Sequence, residues 1–240
     1  MELKVIQQAQ GVAVTGPTIS SLGLTEIKSV SNADYTILDN DGYSVILATA
    51  TSANRTITLP SAANNTGRRI VFKRTDNNPT YYVAISGTVD GTTTGNRIYY
   101  QNGSAVAISD GSAWYWEQQI IEEGEYTPTF TNVANMASTT GERGNFFRRG
   151  LYVVCNVFST VGCTAAAPTL TQIRVSLPIP VTNFTNDNQV TGGGGVYNTA
   201  TSMMPVYILA NQSNEQLEIR YYADVTATRG VSCTFSYRIN

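Results

Sequence analysis

The chain has 240 residues, with 15 basic and 17 acidic side chains and a net charge of −2, so long-range attraction to phosphate backbones is not expected and no nucleic-acid partner is read. Histidine is absent, which removes together the commonest general base, the commonest zinc ligand and the side chain that titrates near neutrality. Charged residues are 13% of the chain, about half the ~25% usual in soluble domains; the hydroxyls and amides in their place suit shells and fibres, where charges buried between subunits carry a desolvation cost.

Residues 1–30 carry weak patterns broken by Gly11, Gly16, Pro17 and Gly23. They show no continuous apolar run of the kind a signal peptide or membrane span needs, so no membrane insertion is expected. The segment reads as an extended arm, either a loose terminus or a strap that orders on a partner. Val5, Ile6, Val12, Val14, Ile19 and Leu22 are too apolar for a free tail and favour the strap, which makes them candidate anchoring residues.

Residues 31–119 read as a small β-sheet or barrel-like module. Short runs rich in β-branched and aromatic residues (Tyr43–Leu47, Arg55–Leu59, Arg68–Arg74, Tyr81–Ser86, Arg97–Tyr100, Ala105–Ser109, Ala113–Trp116) are bounded by Gly, Asn, Asp or Pro. Asp41-Gly42, Asp90-Gly91, Asn102-Gly103 and Asp110-Gly111 are tight-turn dipeptides that predict hairpins. The rhythm breaks at the acidic stretch 117–125, which predicts a linker over 120–125, or one helical turn. From 126 to 240 the β signals resume: Gly150–Phe158 as a central strand, Ile173–Leu177 stopped by Pro178 and Pro180, then Val206–Leu209, Gln216–Tyr222 and Cys233–Ile239. About seven or eight strands on this scale predict a jelly-roll-like β-sandwich. The fold class expected is all-β, two modules behind an N-terminal arm.

The search for chemistry returns little. Ser-His-Asp and Cys-His mechanisms need the missing histidine, and Lys4, Lys28 and Lys73 stand in no Ser-x-x-Lys pattern. Gly192–Gly195 is followed by no Gly-Lys-Ser/Thr and reads as a mobile surface loop. Glu122, Glu123 and Glu125, in the predicted linker, and Asp39 and Asp41, in a turn, have poor rigid support for a glycosidase pair and read as solvated acids. Asp39–Gly42 matches half a calcium loop without its first and last ligands. The chain is therefore expected to be no enzyme, with no cofactor and no metal. The pairs Arg68-Arg69 and Arg148-Arg149 read as strand edges. Cys155 alternates with Val153 and Val157 as a core residue; reduced thiols are expected, and a Cys155–Cys163 hairpin bridge stays open.

Adjacent tyrosines carry more information. In a strand, neighbours point to opposite faces, so one ring each of Tyr81-Tyr82, Tyr99-Tyr100 and Tyr221-Tyr222 is expected outside. Trp114 and Trp116 share a face, either as a core pair or as a subunit contact. Tyr82, Tyr100, Tyr222, Trp114 and Trp116 are the candidates for a subunit interface or for stacking on sugar.

Two segments resemble known modules. Gly124–Phe130, Arg149–Val154, Ser176–Phe184 with its Leu-Pro and Thr-Asn-Phe, and Phe235–Tyr237 are similar to the C-terminal β domain of bacteriophage tail-fibre and virion-fibre proteins. Arg55–Pro60, Gly67–Phe72, Val83–Ile85, Asp90-Gly91 and Asp110–Trp114 resemble, in order, a module common in phage fibre and spike proteins. The resemblance implies a virion structural protein, a fibre, spike or capsid decoration subunit assembled in the host cytoplasm. It implies a homo-oligomer, a trimer, attached to capsid or tail proteins through the arm; the alternative it carries is a tail-fibre receptor-binding protein recognising a host surface glycan. No heptad or collagen-like repeat supplies a stalk, which favours a short appendage.

Overall fold

A computed structural model describes residues 26–239 except 94, 165–168, 182–183, 187–188, 198–202 and 224–225. Among these residues the chain is all-β, with a 3-10 turn at Ala62–Asn64 and no α-helix, so no helix is long and apolar enough to cross a membrane. The candidate anchoring residues Val5, Ile6, Val12, Val14, Ile19 and Leu22 lie outside the described residues, while the end of the expected arm, Glu26–Val30, is a strand.

The first half of the chain winds rather than folding back on itself. Strands β1 (Glu26–Val30), β3 (Tyr43–Ala48) and β5 (Arg69–Arg74) lie parallel in one sheet; β2 (Tyr35–Thr36), β4 (Arg55–Thr58) and β6 (Val83–Ser86) lie parallel in another. The chain thus passes from sheet to sheet and advances one strand per circuit. β7 (Arg97–Ile98) and β8 (Ser104–Ser109) end the coil, each antiparallel to its neighbour. Ile46, Ile57, Ile70, Phe72 and Ile85 fill the space between the sheets. This corrects the expected succession of hairpins. Asp110-Gly111 does join an antiparallel pair, and Asp90 (φ 50°) and Gly91 (φ 73°) form a minimal one, with Val89 and Thr92 exchanging amide bonds. Asp41-Gly42 and Asn102-Gly103 instead lie where the chain crosses between sheets. The Asp41 carboxylate closes its crossing by accepting from the Leu38 amide at 2.9 Å and the Tyr35 hydroxyl at 2.6 Å.

β9 (Trp114–Tyr126) pairs with β8 through its first half and with β11 (Met136–Arg149) through its second. The segment expected to be a linker, 120–125, is therefore the middle of a strand. Alternation explains it: Ile120 and Glu122 point inward, and the charge of Glu122 is met inside the protein by Arg148. The remaining strands are β10 (Phe130–Ala134), β12 (Tyr152–Cys163), β13 (Thr169–Val175), β14 (Val190–Tyr197), β15 (Met203–Pro205), β16 (Tyr207–Asn211), β17 (Gln216–Ala223) and β18 (Thr228–Arg238). They complete a ten-stranded sheet, β1-β3-β5-β8-β9-β11-β12-β18-β14-β15, and a four-stranded one, β10-β13-β17-β16. β12 pairs with β18 in the large sheet and β13 with β17 in the small one. A two-stranded ribbon thus wraps both layers, as in a jelly roll. Phe146, Val153, Cys155, Val157 and Phe235 meet Ile173, Val175, Leu217, Ile219 and Tyr221 in the second core.

The glycine run expected to be a mobile loop is also strand. Gly192–Gly195 pairs with Ser232–Phe235 of β18. A Cβ on Gly192 would strike the Thr234 carbonyl oxygen, and one on Gly194 the Ser232 carbonyl oxygen; the glycines are there because two backbones run unusually close. Cys155 and Cys163 lie on one strand, about 26 Å apart at ~3.3 Å per residue, which closes the question of a bridge between them. All three cysteines are free and buried. Burial raises the thiols of Cys155 and Cys233, the latter to about 12, so these two stay protonated and unreactive at neutral pH.

Candidate functional site

The seam between coil and sandwich is held by buried charge. Arg148 and Glu122 are 0% and 1% exposed, joined by a 2.5 Å ion pair. The Arg148 guanidinium also donates to the carbonyls of Gly150, Arg97 and Gly95 at 2.7, 2.6 and 2.8 Å. Glu122 in turn accepts from the amides of Tyr99 and Tyr100. A strand of the sandwich and a strand shared with the coil thereby fix the loop around β7. Arg74, likewise fully buried, donates to the carbonyls of Tyr81, Tyr99 and Asn78, each at 2.5 Å, and to Asp76 at 2.6 and 2.9 Å. Burial pushes the Asp76 carboxyl up, but the bonds from Arg74 and from the Ala50 and Asn78 amides outweigh it and hold the carboxyl below its ordinary value.

The outer face of the large sheet is the broadest candidate surface. Register sorts its side chains into rows. Ile121, Arg149, Tyr152 and Arg238 form one; Glu123, Phe147, Val154 and Ser236 the next; Glu125, Asn145, Asn156 and Thr234 a third; Arg143, Phe158 and Ser232 a fourth. Phe147 and Val154 are each 45% exposed and Tyr152 66%, an apolar patch across the first two rows, with Arg149 and Arg238 in the first row and Glu123 and Glu125 in the second and third. In the third row Asn156 donates to Asn145 at 2.9 Å and accepts from the Thr234 hydroxyl at 2.6 Å. The Arg143 guanidinium lies over the Phe158 ring, 4.5 Å from its centroid. Two hollows of about 370 and 580 Å³ adjoin at Glu125 and Asn145. Amides, hydroxyls, carboxylates and an aromatic ring are the groups that bind a neutral, hydroxyl-rich ligand. No group of three or more metal-ligating side chains occurs among the described residues.

The residues singled out from the sequence are scattered. Trp114 is 4% exposed and donates its indole N–H to the Pro60 carbonyl at 2.9 Å. Tyr100 packs on Phe146 with ring centroids 4.4 Å apart and donates to the Pro178 carbonyl at 3.0 Å. Tyr82 is half-buried between Tyr99 and Arg97. Tyr82 and Tyr100, read as exposed contacts, are thus largely internal, and Trp114 takes the core place among its two readings. The Tyr99-Tyr100 pair follows β7 instead of lying in a strand, so both rings turn inward, whereas Tyr221 (1% exposed) and Tyr222 (58%) lie in β17 and alternate as expected. Trp116 packs on the coil core and lines a small cavity at the seam. Glu123 and Glu125 are on a central strand, not a linker, so weak support no longer counts against them; they stand side by side on one face of that strand. The rows of the outer face escaped the sequence reading because β11 is mostly Ser, Thr, Gly, Glu and Arg. The available signal was apolar residues on both faces of β12, with Tyr152 and Val154 between Val153 and Cys155.

No protein-family model matches the chain, and no curated protein does. Among solved structures, the crystal structure of the Dettilon tailspike protein (gp208) is similar, with a TM-score of 0.41 and 12% identity over 88% of this chain and 41% of that one; this chain thus spans less than half the length of that protein.

Proposed function

We propose that the chain is a structural subunit of a bacteriophage virion, a fibre, spike or capsid decoration protein that carries its β modules outward. The observation that carries the reading is the ten-stranded sheet that runs from coil to sandwich without a linker, which makes a stiff body suited to a mechanical role. The ordered fibre-type motifs support it. The outer face supports a homo-oligomer in which Arg149 and Arg238 of one subunit meet Glu123 and Glu125 of the next around the apolar patch of Phe147 and Val154; that it is a trimer is what the fibre resemblance implies. Electron microscopy of particles labelled at residues 212–215 tests the location, with label expected on a surface appendage; particles that lack the chain overturn the reading. Sedimentation tests the assembly: the wild type is expected as an oligomer and Phe147→Asp as a folded monomer, while a monomeric wild type at micromolar concentration defeats the interface.

The hollows at Glu125 and Asn145 favour a second reading, recognition of a host surface glycan. It is proposed as binding without cleavage, because Glu123 and Glu125 are neighbours on one strand and do not face each other across a cleft, as a glycosidase pair does. Host polysaccharide is expected to bind and to release no reducing ends; release that Glu125→Gln abolishes would make the chain an enzyme.

A further inference from the structure

The two sheets of the coil turn opposite kinds of surface outward. Alternation sends Ile46 and Phe72 into the core and their neighbours along the strand away from it. On the sheet of β2, β4, β6 and β7 the outward residues are Thr36, Thr56, Thr58, Ala84, Ser86 and Arg97, matched in register. On the sheet of β1, β3, β5, β8 and β9 they include Ile27, Val45, Leu47, Val71, Ile108 and Tyr115. Ile27 is 56% exposed, Tyr115 42% and Ile108 37%, and Val45, Leu47 and Val71 are half-buried. A sheet face that meets water is ordinarily polar, and the first sheet obeys this. The second does not, and a contiguous apolar face rimmed by polar groups marks a contact surface. Arg69, on the same face, is already paired with Glu117 at 2.5 Å.

This face does not stop at the coil. Leu47, Lys73, Ser104 and Ile121 are in register with Arg149 and, through it, with Tyr152 and Arg238. One row of side chains thus crosses from coil to sandwich and runs beside Phe147 and Val154. At ~4.8 Å per strand and ~6.6 Å per row, five strands and three rows give the coil part about 480 Å², and four strands and two rows give the sandwich patch about 250 Å². A stable interface takes about 800 Å² from each partner, so neither patch suffices alone and the two together approach it. We propose that the coil face docks on the coil face of a second copy of this chain, the subunits lying side by side with their β1 ends together. The proposal deepens the homo-oligomer reading and rests on it. Aligned in this way, apolar coil meets apolar coil, and Arg149 and Arg238 stay level with the acidic residues of the neighbour. A copy turned end for end would lay its coil face over the polar rows of the sandwich and bury Asn145, Asn156 and Thr234 against hydrocarbon, which is costly.

The test is crosslinking of the full chain with a short bismaleimide. The three native cysteines are buried, so a cysteine placed on the surface is the accessible one, and the wild type is the blank. Ile27→Cys and Leu47→Cys are each expected to yield covalent dimers, and Thr56→Cys, on the polar face, to yield none. Ile27 lies on the edge strand, so its crosslink to itself requires the β1 ends to lie together. Leu47→Glu is expected to weaken association in sedimentation at least about tenfold, because its charge would be buried without a partner, with an unchanged circular dichroism spectrum. Crosslinking of Phe147→Cys without that of Ile27→Cys and Leu47→Cys, or undiminished association of folded Leu47→Glu, overturns the coil contact and leaves the homo-oligomer standing. Equal crosslinking of Thr56→Cys overturns the proposal as collision without docking. A monomeric wild type overturns both readings, and a monomer whose Ile27→Cys and Leu47→Cys resist the maleimide shows the face covered within its own chain.

Discussion

Arg74 and Arg148 carry guanidinium groups into an interior that would reject them unpaired, and each is matched by a carboxylate and a ring of backbone carbonyls. Removing one partner of such a pair leaves the other charged and buried, which costs about 3–5 kcal/mol. Arg148→Met is expected to lower the unfolding free energy by about that amount, and Arg148→Met with Glu122→Leu to recover only part of it, because the Tyr99 and Tyr100 amides and the Gly95, Arg97 and Gly150 carbonyls lose their side-chain partners; urea titration measures both. Asp76 contributes to the pH dependence. Its folded pKa lies below the unfolded value, so its stabilisation is complete above the ordinary carboxylate range near pH 4 and is lost as pH falls through the folded value. Melting temperature measured from pH 7 to pH 2 is expected to drop on the acid side, and Asp76→Asn to flatten that limb while lowering the plateau. None of this was legible in the sequence. Arg148 stands in a basic pair that reads as a strand edge, and Glu122 in an acidic run that reads as a linker; only the register that sets them opposite each other across β9 and β11 makes them a pair.

At the scale of elements, strands with alternating β-branched residues were legible, and β12, β17 and β18 overlap the expected runs Gly150–Phe158, Gln216–Tyr222 and Cys233–Ile239. Strands whose reason is their neighbours were not. β11 and β14 are poor in β-formers and are held by pairing on both sides. In β14 the glycines are a packing requirement, which separates adjacent positions. Gly194→Ala would press a methyl on the Ser232 carbonyl and the Cys233 Cα, whereas a Cβ at Gly193 meets nothing within 4 Å. Thermal melting is expected to show Gly194→Ala destabilised by about 1–3 kcal/mol and Gly193→Ala unchanged. Parallel winding was hidden for a related reason: a tight-turn dipeptide signals that the chain reverses, not which strand it joins afterwards.

For the whole molecule the decisive strand is β9, which belongs to both cores: Trp114 and Ile120 face the coil, and Gly124 lies against Tyr100 and Phe146 of the sandwich. Coil and sandwich are thus two cores with one backbone layer in common. A glutamate-specific protease, which would cut an exposed linker at Glu122, Glu123 or Glu125, is expected to leave that stretch intact in the native protein, as read by mass spectrometry. A fragment starting at Tyr126 removes β9 and uncovers the edge of β11, and is expected to aggregate where the full chain is stable.

The position of β18 sets an order of events in biosynthesis. It lies between β12 and β14, yet it leaves the ribosome after both. Until Thr228–Arg238 emerges, the large sheet has a missing slat in its middle, and β12 and β14 each have one edge with nothing to zip onto. The coil, whose strands each join one made shortly before, is complete well before that. A stop codon shortly before β18 therefore yields a finished coil attached to a sandwich that never closes, a product destined for proteolysis.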